Sequence, residues 1–145
     1  MSDASRLVVT RVLPAPIARV FDAWTRSETL ARWFTCTPAW DATAESDLRV
    51  GGRYRVVMHE GSRVAGVAYG EYLEIDRPRR LVFTWSAEGN APVQGSVVTV
   101  ELEAIGARTR LTLTHDLDPG SEVGRAHARG WDGTLARLCG WLEGA

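Results

Sequence analysis

The end of the chain most constrains what it can become. Ser121 to Leu142 reads as one amphipathic helix, and it follows a long succession of strand-like segments. At about 100° per residue, Val123, His127, Gly130, Trp131, Thr134, Leu138 and Trp141 fall on one side. Arg125, Arg129, Asp132 and Glu143 fall on the other. A helix with such a stripe after a run of strands must bury it against a sheet. The seam is expected to be tight where Gly130 and Gly133 permit close approach, and wide where Trp131 holds the helix off. An uneven seam of this kind leaves room for a ligand cavity.

The strands are recognisable by their period. Leu7–Leu13 is a β-branched run closed by Pro14-Ala15-Pro16. Two short helices follow: one carries Ile17, Val20, Phe21 and Trp24, the other Leu30, Trp33 and Phe34, with Ser27 as a candidate cap. From Trp40 the period changes to two. Trp40–Val50 ends at Gly51-Gly52, and Arg53–His59 places Tyr54, Val56 and Met58 on one face. Val64–Ile75 has Val67, Tyr69, Leu73 and Ile75 in phase, while Arg80–Ser86 groups Leu81, Phe83 and Trp85. Gly95–Ala104 alternates Val98, Val100 and Leu102 against polar residues, and Arg108–Asp116 alternates Thr109, Leu111, Leu113 and His115. Short turns between consecutive strands favour an antiparallel meander with helices on one face, an α+β architecture.

Composition narrows the function classes. At 145 residues one domain, 1–145, is expected, with no linker or repeat to divide it. A net charge of −1 gives no pull toward nucleic acid. All 17 basic residues are arginine, which excludes Schiff-base chemistry on a lysine of this chain. Cys36 and Cys139 have no metal-ligand spacing and suggest a reducing compartment. The polar stretch Met1–Arg6 carries no apolar signal region, and no run approaches the roughly 20 apolar residues of a membrane span, so a cytoplasmic location is expected.

The order of elements, together with Pro16–Trp33, Asp47–Arg55, Gly70–Trp85, Thr109–His115 and His127–Leu142, resembles the START-like helix-grip (SRPBCC) superfamily. Within it, the chain is most similar to bacterial homologues of the activator of heat-shock-protein-90 ATPase. The resemblance implies a curved antiparallel sheet wrapped around a long C-terminal helix, with two short helices after strand one. It also implies a hydrophobic cavity between sheet and helix. The eukaryotic co-chaperone carries a further N-terminal domain that this chain has no room for, so a chaperone partner is not expected.

Chemistry candidates are few. His115 and His127 are each in phase with buried positions and could line the same end of a cavity, as a polar anchor or as an acid–base pair. Alternatively, each satisfies backbone groups near the strand–helix junction. Two histidines without a third ligand fall short of a zinc site, and no cofactor is expected. Glu71 shares a phase with Leu73 and Ile75, so it is either an inward carboxylate or, if the strand bulges near Gly70, a solvated one. Trp33, Phe34, Met58, Phe83, Trp85 and Trp131, with the two histidines, are the expected lining of a cavity. Arg77, Arg79 and Arg80 are a solvated rim or contacts for a ligand's carboxylate. The leading reading is a domain that binds a small apolar or aromatic molecule. The competing one is a cyclase- or hydrolase-type enzyme using His115, His127 or Glu71, and the third is co-chaperone activity. Free sheet edges leave a homodimer open.

Overall fold

The computed structural model describes residues 6–89 and 91–144, and the polar stretch up to Ser5 lies outside them. The elements in order are β1 (Leu7–Leu13), α1 (Ile17–Thr25), α2 (Ser27–Trp33), β2 (Asp41–Ser46), β3 (Arg53–Glu60), β4 (Arg63–Asp76), β5 (Arg80–Glu88), β6 (Val93–Ile105), β7 (Arg108–His115) and α3 (Glu122–Gly144). The strands form one antiparallel sheet in the order β1-β7-β6-β5-β4-β3-β2. Strands β2 to β7 are the expected meander. The first strand, however, returns to pair with the last, Leu7 opposite His115 and Leu13 opposite Thr109. The curved sheet closes around α3, with α1 and α2 packed beside it: the α+β helix-grip architecture.

The alternating strands bury the faces their period dictates. Thr109, Leu111, Leu113 and His115 are all buried, as are Val98, Val100 and Leu102 on β6 and Leu81, Phe83 and Trp85 on β5. Two segments depart from expectation. β2 ends at Ser46 rather than Val50, because Asp47–Gly52 folds into a tight turn in which Gly52 N–H donates to Arg49 O at 2.8 Å. Gly51 holds φ +87° there, a backbone conformation that suits glycine.

On β4 the inward phase is the opposite of that read from its apolar residues. Val56 pairs with Ala68 and Tyr54 with Gly70, so Ala68, Gly70 and Tyr72 face the core, while Leu73 is 43% exposed. A register shift between Tyr72 and Glu74 then lets Ile75 pack against the core. Glu71 is exposed, opposite Arg53, and its backbone N–H donates to Thr84 Oγ1 at 2.9 Å.

Helix α3 buries Gly124, His127, Trp131, Thr134, Leu135, Leu138 and Leu142. Val123 and Trp141 sit at the edge of that stripe; the Trp141 ring lies under the Arg19 guanidinium, 5.6 Å from its centroid. The close approaches also differ from expectation. A Cβ on Gly133 would meet Cys36 O at 2.2 Å, and one on Gly124 would meet Asp118 O at 1.9 Å. A Cβ on Gly130 would meet nothing within 4 Å. The helix is therefore pressed against neighbouring backbone at Gly124 and Gly133 and stands open at Gly130.

These glycines should respond oppositely to one methyl group. Gly130→Ala removes a helix-interior glycine without a clash and should stabilise the fold by about 0.5–1 kcal/mol. Gly133→Ala must displace backbone and should destabilise it by about 1–3 kcal/mol. Urea unfolding of both variants checks this, and a destabilised Gly130→Ala protein would contradict the packing described.

Candidate functional site

Beside Trp131 the seam between α3 and the sheet opens into a cleft of about 330 Å³. Its wall takes Met58 from β3, Trp85 and Ala87 from β5, Phe34 and Trp40 from the segment around α2, and His127, Gly130, Trp131 and Thr134 from α3. Glu88 and Arg129 bring opposite charges to the same cleft. Of the residues expected to line a cavity, Phe34, Met58, Trp85, His127 and Trp131 reach this wall. Trp33, Phe83 and His115 are buried behind it. Trp33 donates its indole N–H to Ala23 O at 3.1 Å, and Phe83 packs 5.3 Å from Tyr54 at the far end of the core.

The two histidines meet, with ring centroids 5.2 Å apart, and each is held by an indole. Trp85 Nε1 donates to His127 Nε2 at 3.2 Å, and Trp131 Nε1 donates to His115 Nδ1 at 3.1 Å. An indole nitrogen is a donor only, so each imidazole must present a lone pair at that atom. The second nitrogens are engaged as well. His127 Nδ1 lies 3.0 Å from Val123 O, which as an acceptor requires the proton on Nδ1. His115 Nε2 lies 2.8 Å from Ser96 Oγ, whose own hydroxyl donates to Trp85 O at 2.7 Å, which leaves Ser96 to accept from Nε2–H. The pattern closes only with both imidazoles neutral and in opposite tautomers.

Electrostatics point the same way. Burial, together with the neighbouring His127, pushes the His115 imidazole down to about 3. Burial also lowers His127, against the opposing pull of the Val123 carbonyl. Ser96 is the member of this network that sequence reasoning passed over. Its signal was present: a hydroxyl in phase with Val98 and Val100, two and four residues before them on an inward face.

The other candidates stand apart from the cleft. Glu71 lies on the exposed side of β4. Arg77 pairs with Asp22, Arg79 with Asp76 at 3.7 Å, and Arg80 with Glu74 at 3.2 Å and Glu101 at 2.8 Å. Cys36 borders the cleft, but burial pushes its thiol up, away from the thiolate a nucleophile needs. Among the described residues no three His, Cys, Asp or Glu side chains are grouped to hold a metal ion, and no helix is long and apolar enough to cross a membrane.

The histidine network sets a pH dependence. The unfolded chain binds a proton at His115 near pH 6.5, whereas the folded chain resists until about 3. The stability this neutral histidine supports is complete above pH 6.5 and is lost as pH falls toward 3. The slope from His115 should approach about 1.4 kcal/mol per pH unit inside that window. Urea midpoints measured from pH 7.5 downward check the sign. Nitrogen-15 spectra at pH 7.5 should show His115 protonated at Nε2 and His127 at Nδ1, and the reverse tautomer at either site would refute the network.

With the geometry in place, comparison with known proteins is direct. No curated protein matches the chain. Among solved structures, a protein of Chromobacterium violaceum superposes with a TM-score of 0.83 at 24% identity, covering 96% of this chain and 97% of that one. A protein of Rhizobium leguminosarum is 30% identical with a TM-score of 0.79, covering 97% of this chain and 95% of that one. An HSP90 activator from Plasmodium falciparum is 28% identical with a TM-score of 0.69, covering 92% of this chain and 93% of that one. Residues 14–143 match the family model described as activator of Hsp90 ATPase homolog 1-like protein, and the chain belongs to that family.

Proposed function

We propose that this protein is a binding module that holds a small apolar or aromatic molecule in the cleft between α3 and the sheet. The observation that carries this reading is the cleft itself, about 330 Å³ and walled chiefly by Phe34, Met58, Trp85 and Trp131. That size falls within the range of ligand sites, and broad aromatic faces suit a flat ligand. Burying roughly 200 Å² of a ligand's apolar surface contributes about 5 kcal/mol before the cost of immobilising it. Glu88 and Arg129 would meet the ligand's polar end.

The acid–base alternative finds less support. A general acid or base needs a ring nitrogen free to reach substrate, and all four nitrogens of His115 and His127 are engaged inside the protein. Glu71 lies on the exposed side of its strand. Co-chaperone activity rests on the descriptions of the family and of the Plasmodium relative, and requires a protein-binding surface rather than a cleft.

The test uses the open glycine. Gly130 lines the cleft, and its absent side chain would meet nothing within 4 Å, so Gly130→Leu should fill the space while improving helix propensity. Native mass spectrometry of wild-type protein from its own host should show a retained small molecule. The Gly130→Leu protein should fold at least as stably and retain none. Equal retention by both proteins would place the ligand elsewhere, and a wild-type protein that carries nothing and binds no apolar probe would end this reading.

A further inference from the structure

The cleft is separated from the core by one ring. Phe34 lines the cleft on one side, and on the other it borders a void of about 20 Å³ shared with Trp24, Leu30, Tyr54 and Phe83. Its ring stands edge-on to Trp24, 6.1 Å between centroids, and to Trp131 at 5.9 Å. Phe34 follows the last turn of α2, where the backbone has left helical geometry at φ −82° and ψ 69°. Its ring also lies 5.2 Å from Trp33 and 6.0 Å from Trp85, so moving it exchanges these aromatic contacts for contacts with a ligand.

Behind Phe34 lies an anomaly. Among the described residues, Trp24 Nε1 is the only fully buried side-chain nitrogen or oxygen without a hydrogen-bond partner. The neighbouring indoles of Trp33, Trp85 and Trp131 all donate to an acceptor inside the protein. Trp24 is only 3% exposed, so its N–H is withdrawn from the surface without a protein acceptor. Trp24 lines the void on the far side of Phe34 from the ligand-sized cleft, so an acceptor that entered from the cleft would meet the residue whose donor is unpaired.

We propose that Phe34 is a movable partition and that Trp24 is the inner anchor of the binding site. The ligand is then an aromatic compound with a hydrogen-bond acceptor, such as a carbonyl oxygen, at its leading end. This rests on the reading of the cleft as a ligand site and adds the polarity of the ligand's buried end. When the Phe34 ring swings aside, cleft and void merge, and the acceptor oxygen receives the Trp24 N–H. Because an indole offers a donor and no acceptor, an ammonium or other donor-only end gains nothing there, and a pure hydrocarbon, which leaves the N–H unpaired as before, binds more weakly than an acceptor-bearing ligand.

The test compares two probes of similar shape, 2-acetylnaphthalene and 2-isopropenylnaphthalene, against nitrogen-15-labelled full-length protein. Both should shift the indole N–H signals of Trp85 and Trp131, which report the cleft. Only the ketone should shift the Trp24 N–H, and it should bind about three- to tenfold tighter than the hydrocarbon. In Trp24→Phe protein that preference should vanish while hydrocarbon binding persists. Should that variant fail to fold, the wild-type spectra decide alone. Equal affinities with an unmoved Trp24 signal would overturn the partition and its anchor and leave the cleft reading standing. Silence at Trp85 and Trp131 with both probes would overturn both.

Discussion

Two indole N–H groups donating into two neutral imidazoles join the long helix to the sheet, and they do so in opposite directions. Trp85 on β5 donates to His127 on α3, while Trp131 on α3 donates to His115 on β7. Ser96 on β6, the strand between, bonds to both Trp85 O and His115 Nε2. Three neighbouring strands and the helix are thus held by polar contacts inside an apolar core. Buried polar networks of this kind are favourable only when every member is satisfied, and here each ring nitrogen has one partner of the right kind. The arrangement tolerates no extra proton: burial depresses both histidines, and the neighbouring His127 adds to the effect on His115, rather than priming them for chemistry.

The cleft is a consequence of how the helix is seated. At Gly124 and Gly133 the helix comes so close to other backbone that a methyl group would collide. Between them, the breadth of Trp131 keeps it away from the strands, with the Trp85 ring 4.9 Å distant. Gly130 then looks onto empty space rather than onto a neighbour. Tight contacts on either side of a wide one leave a space that the surrounding side chains do not fill. Phe34 continues this aromatic wall inward to Trp24, among the described residues the one buried indole without an acceptor.

Parts of this were legible from the residues alone. The period of two on β6 and β7 identified their inner faces, because side chains on a pleated strand alternate whatever the strand packs against. The same logic brought His115 and His127 to one place. It misled on β4, where the inward positions are Ala68 and Gly70, too small to register as an apolar stripe, while the exposed Leu73 looked like core. The bulge after Tyr72 then returned Ile75 to the core, and Gly70 packs so close to Thr84 O that a Cβ would stand at 1.9 Å. The glycines of α3 were readable as points of irregularity, but which of them faced backbone and which faced space was not.

The sequence by itself determined the type and order of the elements, the inward faces of the regular strands, and the family to which the chain belongs. These follow from periodicities of two and about 3.6 and from local motifs, all of which operate over a few residues. Only the tertiary structure decided that β1 closes against β7, that two tryptophans cap two histidines, and that the seam opens at Gly130. Those outcomes depend on partners 16 to 42 residues apart in the chain, or more, and on the distance at which two surfaces come to rest. No local pattern carries that distance; it is set when bulky rings and missing side chains meet across the core.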